Sequence, residues 1–226
     1  MKAPRTRFEN TSPVDPSGCE FCDEFADPRG SVFSRLYSHL LPDRIVARSG
    51  GFVAFPTIGQ IFSQYLLVAP EAHVETLAGL PPSQIARLSR FAQQLSRVVA
   101  RGGPVAIFEH GARKETGGGC GIYHAHLHIV PLPRLVGPDE VLPASAARHS
   151  SLAEALSAVR LVREYLMFGS DRDFAVVDLT SRTGEYPSQY FRKALSDLLG
   201  HTGSWNWKDV AAPERALLDT VASFRG

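Results

Sequence analysis

Cysteine, methionine and tryptophan are scarce in this chain: three, two and two residues of 226. Three cysteines cannot make the paired framework that staples small secreted domains together. No run approaches the roughly 18 apolar residues that a bilayer span requires. Neither sign of charge is in excess, with 24 basic and 23 acidic residues for a net of +1. General attraction to nucleic acid or to an anionic membrane is therefore not expected, and any anion has to be met by local groups. Residues 1–18 carry Lys2, Arg5 and Arg7 but no apolar stretch, so a signal peptide is not expected and a cytoplasmic location follows by default. With four turn formers (Pro4, Pro13, Pro16, Gly18) this segment reads as a flexible leader. No internal repeat and no low-complexity tract interrupts the rest.

What is present is concentrated near the middle. His124, His126 and His128 stand at every second position, followed by Ile129 and Val130 and preceded by Gly117-Gly118-Gly119-Cys120-Gly121. Alternate residues of a β-strand share a face at a spacing of roughly 6.5–7 Å, so the three imidazoles point one way. Ala125, Leu127 and Ile129 point the other way, into apolar packing. A glycine-rich loop offers bare backbone N–H groups, which suit phosphate oxygens. Together these features point to chemistry on a phosphoryl group. The rival reading is a metal site, because strand histidines two apart can ligate zinc.

Periodicity sets the surrounding elements. Arg44–Arg48 and Phe52–Phe55 flank Ser49-Gly50-Gly51 as a hairpin, and Gln64–Ala69 is a third strand stopped by Pro70. Pro81-Pro82-Ser83 opens a helix whose stripe is Ile85, Leu88, Phe91 or Ala92, Leu95 and Val98 or Val99. Val105–Glu109 is the next strand, His110–Cys120 a loop, and Ile122–Val130 the histidine strand. Further on, Ala144–Val162 reads as one helix, Tyr165–Phe168 and Phe174–Leu179 as strands, and Tyr186–Leu199 and Pro213–Phe224 as helices. The fold class is α+β, a mainly antiparallel sheet with a covering helix and a C-terminal α/β extension. The aromatic residues of that extension have a plain reading as core.

Gly121-Ile122-Tyr123-His124-Ala125-His126-Leu127-His128-Ile129-Val130 resembles the signature of the histidine triad (HIT) family of nucleotide hydrolases and transferases. Phe52–Ile58 and Tyr65–His73, with a Pro-x-x-His turn at Pro70–His73, are similar to the family's nucleotide pocket, and Cys19-Glu20-Phe21-Cys22 to the opening of many members. The resemblance divides the chain into the leader 1–18, a HIT domain 19–139 and an extension 140–226. Tyr186–Arg192 and Trp205–Lys208 are similar to the extension of some larger HIT proteins. It also implies a mechanism. His126 is the nucleophile at the α-phosphorus, forming a nucleotidyl-histidine whose tautomer a backbone carbonyl holds; His128 contacts phosphate oxygens, and His124 completes the catalytic triad. Phe55, Thr57 and Ile58 line the nucleotide site, and Gly119, Cys120 and Gly121 cradle the phosphate.

This chain departs from the family pattern at three points. Cys120 and Gly121 stand where relatives carry Gln or Ser, so either Cys120 substitutes weakly, the backbone suffices, or the extension lends a donor such as Gln189 or Arg192. Thr57 stands where many place an Asp that grips the ribose, and Glu109-His110-Gly111 where they show Asn-x-Gly. The Cys-x-x-Cys pair suggests zinc, since the βαβ context of a redox pair is missing. The resemblance implies Cys19, Cys22, His73 and His124 as structural zinc ligands, with His39 as a rival; His110, His149 and His201 read as surface or loop histidines. The expected function is hydrolysis of a nucleotidyl substrate such as a dinucleoside polyphosphate, an aminoacyl-adenylate or a nucleoside phosphoramidate. The alternatives are a nucleotidyltransferase or phosphorylase of the same fold, and a nucleotide-binding scaffold whose catalysis has decayed. The expected partners are a small-molecule nucleotide and a second copy of the chain as a homodimer, with neither membrane nor nucleic acid.

Overall fold

The computed structural model describes residues 18–116, 121–170, 172–182, 184–209 and 214–226. The leader call on residues 1–17 lies outside them, as does the glycine-rich stretch 117–120 with Gly119 and Cys120. The described elements are α1 (Glu20–Ala26), α2 (Val32–Tyr37), β1 (Ala47–Ser49), β2 (Phe52–Pro56), β3 (Leu66–Pro70), α3 (Pro82–Ala100), β4 (Val105–Ala112), β5 (Leu127–Pro131), β6 (Ala147–His149), α4 (Leu152–Ala158), β7 (Glu164–Ser170), β8 (Asp173–Asp178), α5 (Tyr190–Leu198) and α6 (Arg215–Arg225). The strands form one eight-stranded sheet in the order β1-β2-β3-β5-β4-β7-β8-β6, and its pairings are antiparallel.

The two faces of this sheet have different partners. On one side, α3 buries the stripe read from the sequence, Ile85, Leu88, Phe91, Ala92, Leu95 and Val99, against Ala125, Leu127 and Ile129. A Leu or Phe buried there contributes about 1.5–3 kcal/mol from apolar area alone. Pro82 at its first turn starts α3, and Arg101 in a left-handed conformation (φ 45°) ends it. Leu152, Ala155 and Leu156 of α4 extend the same layer. On the other side, α1 and α5 cover Phe55, Leu67, Phe108 and Phe168 through Phe21, Phe191 and Leu195. A third cluster joins α2 and α6, where Phe33, Tyr37, Leu217 and Val221 enclose Ile58.

The structure differs from the sequence reading at several elements: β4 runs on to Ala112 rather than ending at Glu109, and α5 begins at Tyr190 rather than Tyr186. The segment 144–162 is not one helix: Ala147–His149 pairs with β8, and the helix begins only at Leu152. Ser151 caps it by accepting the Glu154 N–H at 3.2 Å, while the Glu154 carboxylate accepts the Ser150 N–H at 3.0 Å. Such reciprocal capping fixes a helix start that alanine content conceals. The histidine strand is also shorter than Ile122–Val130, since its ladder begins at Leu127. Upstream, the Ala125 N–H donates instead to the Val74 carbonyl at 2.7 Å, tying the chain to the turn after β3. His124 and His126 therefore sit on an extended lead-in rather than within the ladder.

Candidate active site and metal cluster

β5 lies between β3 and β4, with His128 opposite Leu67 on one side and Phe108 on the other. The expected alternation holds: Ala125, Leu127 and Ile129 face α3, and the histidines face α1. His126 and His128 lie side by side, ring centroids 4.9 Å apart. The His126 Nδ1 is 2.7 Å from the carbonyl of His124. A carbonyl can only accept, so Nδ1 carries the proton and Nε2 keeps its lone pair. This is the carbonyl whose identity the sequence could not reveal. His128 is buried and stacks on Phe108 at 4.5 Å, and its Nδ1 shares a hydrogen bond of 2.6 Å with the Tyr65 hydroxyl. Burial, reinforced by His126 and Arg192, holds His128 well below the usual histidine range. It is neutral.

His126 and His128 border an open cleft. One wall is Phe21 of α1, and the turn after β2 adds Thr57 and Ile58. The third wall comes from the extension: Gln189, Arg192 and Trp207. Phe55, expected on the wall, is fully buried beneath Phe21 at 5.1 Å and does not line the cleft, so Phe21 takes its place. Thr57 does line it, with its hydroxyl donating to the Ile58 carbonyl at 3.0 Å. Gly121 adopts φ 84°, a left-handed conformation that favours glycine, beside Ser188. Of the two candidate donors from the extension, Gln189 is already engaged, its amide donating to Asn206 and accepting from the Trp207 N–H. Arg192 donates through Nε to the Trp205 carbonyl and through Nη2 to the Gly59 carbonyl, but its buried Nη1 has no partner. That nitrogen is available to an anion in the cleft.

His124 is engaged elsewhere. Its Nε2–H donates to the Pro70 carbonyl at 2.8 Å, which turns the Nδ1 lone pair toward the thiols of Cys19 at 3.4 Å and Cys22 at 3.5 Å. Cys22 lies 3.3 Å from His73 Nδ1. The four ligand atoms of Cys19, Cys22, His73 and His124 all fall within 4.8 Å of one another, as the family resemblance implies. Tetrahedral zinc at the usual bond lengths separates its ligands by about 3.3–3.8 Å, so the set fits. Burial pushes the Cys22 thiol up to about 12 and the His124 imidazole down to about 4. With both its nitrogens committed, His124 has none left for a phosphate. His39 is exposed and outside the cluster.

Sequence reasoning placed His110 on the surface or in a loop; it is instead buried within β4. On the triad face its Nε2 meets the Glu164 carboxylate of β7 at 3.1 Å. Nothing near residue 110 signals this partner, which is 54 residues away. Glu109 points to the opposite face, where it accepts the Leu77 N–H at 2.9 Å and the Tyr165 hydroxyl. The Tyr165 ring passes directly over Gly111, where any Cβ would collide with it.

An antiparallel sheet that presents a tautomer-locked histidine beside an apolar cleft, above a Cys2His2 cluster, defines the class. Residues 39–134 match the family model of the HIT domain, so the chain carries a HIT domain over that stretch. It is 24% identical to Protein HitA of Neisseria gonorrhoeae over 102 residues, 45% of this chain and 95% of that protein. It is 22% identical to Zinc finger CCCH domain-containing protein 59 of Oryza sativa subsp. japonica over 231 residues, covering 92% of this chain. That match extends into residues 140–226, and the chain spans about a third (34%) of the rice protein's length. Among solved structures, the zinc-bound histidine triad family protein from Mycobacterium smegmatis is similar at 21% identity and a TM-score of 0.38, over 65% of this chain and 96% of that one.

Proposed function

We propose that the chain transfers a nucleotidyl group through His126, with water as the ordinary acceptor, and is therefore a nucleotide hydrolase. The observation that carries this reading is the bond from His126 Nδ1–H to the His124 carbonyl, which fixes the ring tautomer and makes Nε2, at the edge of the cleft, the nucleophilic nitrogen. Nε2 attacks the α-phosphorus and the leaving group departs with the electron pair of its bond, forming a nucleotidyl-imidazole. With Tyr65 as the donor to its Nδ1, His128 presents Nε2–H to a non-bridging oxygen, where charge grows in the transition state. Arg192 Nη1 supports a substrate with several phosphates, such as a dinucleoside polyphosphate, over a phosphoramidate with an amine leaving group. Phe21 and Ile58 offer the base an apolar surface. The second step returns His126 to its starting state.

Zinc belongs in this reading as a structural ion held by Cys19, Cys22, His73 and His124. Four protein ligands fill its coordination and leave no position open for substrate, so the ion fastens α1 to the sheet. The Pro70 carbonyl orients His124 from behind, as outer-shell partners of zinc histidines do.

The test is incubation with a panel of α-labelled dinucleoside polyphosphates and acid-labile adduct trapping. Label on His126 in the wild-type chain, absent from His126→Ala, is the expected result. Turnover that survives His126→Ala rejects the mechanism. Binding without turnover in either protein favours a scaffold, and nucleoside diphosphate formed only with added inorganic phosphate identifies a phosphorylase.

A further inference from the structure

The extension contributes a second group to the same site. His110 and Glu164 stand on neighbouring strands, β4 and β7, on the face that carries His126 and His128. Their side chains are 4% and 0% exposed. One nitrogen–oxygen contact joins them, and the other polar atom of each, His110 Nδ1 and Glu164 Oε2, has no partner. Two unsatisfied polar atoms this deep are costly unless a ligand completes them. Burial lowers the affinity of His110 for a second proton. With Glu164 as the acceptor of that contact, the proton of the neutral ring sits on Nε2 and Nδ1 presents its lone pair. A carboxylate that orients an imidazole and stabilises its charged form is the arrangement of a proton acceptor.

Position says which proton. His126 and His128 border two spaces. The cleft with Phe21, Thr57 and Ile58 lies toward β2 and β3; a smaller cavity, lined by His110 and Glu109, lies toward β4. A nucleotide with its base in the apolar cleft and its α-phosphorus at His126 directs its leaving group, and later receives its acceptor, on the β4 side. We infer that His110, held by Glu164, is the general base that deprotonates the water attacking the nucleotidyl-His126 intermediate. The inference rests on the nucleotidyl-transfer reading above and makes the extension part of the catalytic apparatus.

In that step the water oxygen forms a bond to phosphorus and one water proton passes to His110 Nδ1. The phosphorus–nitrogen bond breaks, and its electron pair returns to His126 Nε2. The products are a nucleoside monophosphate, neutral His126 and a His110 imidazolium paired with Glu164. The imidazolium then gives its proton to solvent as product leaves. His110 is the catalytic residue and Glu164 a positioning residue.

Single-turnover measurements with an α-labelled dinucleoside polyphosphate separate formation of the adduct from its decay. In His110→Asn, formation stays within about threefold of wild type while decay slows by about 100-fold or more, so labelled protein accumulates. Fluoride, an acceptor with no proton to lose, restores turnover. Glu164→Gln, which keeps the shape of the side chain, gives the same pattern with a decay loss of about tenfold and guards against a misfolded His110 variant. Decay that is unchanged in both variants overturns the inference. So does an equal slowing of both steps without fluoride rescue, the signature of a purely structural pair. A wild-type chain that forms no adduct overturns this inference together with the nucleotidyl-transfer reading; an adduct with unaltered decay in the variants overturns this one alone.

Discussion

Glu109 stands in β4 directly before His110, on the other face of the sheet, and its chemistry concerns stability. Burial pushes its carboxyl from 4.5 up to about 7, although Tyr165 and the Leu77 N–H hold it back. The folded chain therefore keeps a proton at pH values where the unfolded chain has released it. Folding takes up that proton between about pH 4.5 and about pH 7, so stability falls as pH rises through the window. The loss is at most about 3 kcal/mol. Urea unfolding at about pH 5 and about pH 8 measures it, and Glu109→Gln, with an amide of similar shape, removes it while other titrating groups remain. An equal pH dependence in both proteins rules this account out. The sequence showed an acid where relatives carry Asn, but not that its carboxyl is turned to the Leu77 N–H and the Tyr165 hydroxyl. That orientation depends on Tyr165, a residue of β7.

At the scale of elements, α1 has seven residues and cannot hold a helix by propensity alone. Three attachments fix it. Cys19 and Cys22 join the cluster with His73 and His124, Phe21 and Phe25 pack edge-on against Phe55, and Glu24 pairs with Arg44. Arg44 in turn donates to the Pro56 carbonyl at 2.8 Å, tying α1 to β2. We expect about one zinc per chain in freshly purified protein and none in the double variant Cys19→Ser, Cys22→Ser, measured by elemental analysis. Loss of about 2–3 kcal/mol with the ion lowers Tm by roughly 5–10 °C. Nucleotide affinity falls as well, because Phe21 leaves the cleft wall. Metal-free wild-type protein of unchanged Tm contradicts the assignment. The cysteine spacing suggested a metal and the family resemblance implied the other two ligands; the role of Phe21, between the two cysteines, was not readable. A side chain flanked by ligands inherits its position from them, and no local pattern marks it.

For the whole molecule, the extension continues the sheet rather than forming a separate lobe. β7 pairs with β4 over six residues, Ile107–Ala112, and so covers what would be a sheet edge beside the triad strand. Glu214 accepts the Gly59 and Gln60 N–H groups at 2.7 and 2.8 Å, and α6 packs on Ile58, so residues after 213 brace the turn that walls the cleft. A fragment ending at residue 139 bares the β4 edge together with apolar surface on both faces of the sheet. We expect such a fragment to aggregate or to self-associate through β4. A monomer by sedimentation, with β4 and β5 protected from hydrogen exchange as in the full chain, disproves this. Homodimerisation through the β4 edge, one route for the expected dimer, is closed to the intact chain by β7.

By itself, the sequence determined the features that a short window encodes. A period of two put the three histidines on one face and a period of 3.6 set the buried stripe of α3, while Cys-x-x-Cys pointed to a metal and the family resemblance supplied His73 and His124 as its further ligands. The two periodicities follow from dihedral preference and side-chain direction along a few residues. Tertiary structure decided everything that needs a distant neighbour: which carbonyl holds His126, which strand borders β4, and which acid meets His110. Pairing between strands is chosen by burial and hydrogen bonding summed over the whole sheet. A residue such as Glu164, unremarkable in its own segment, gains its chemistry only from the strand it lies against.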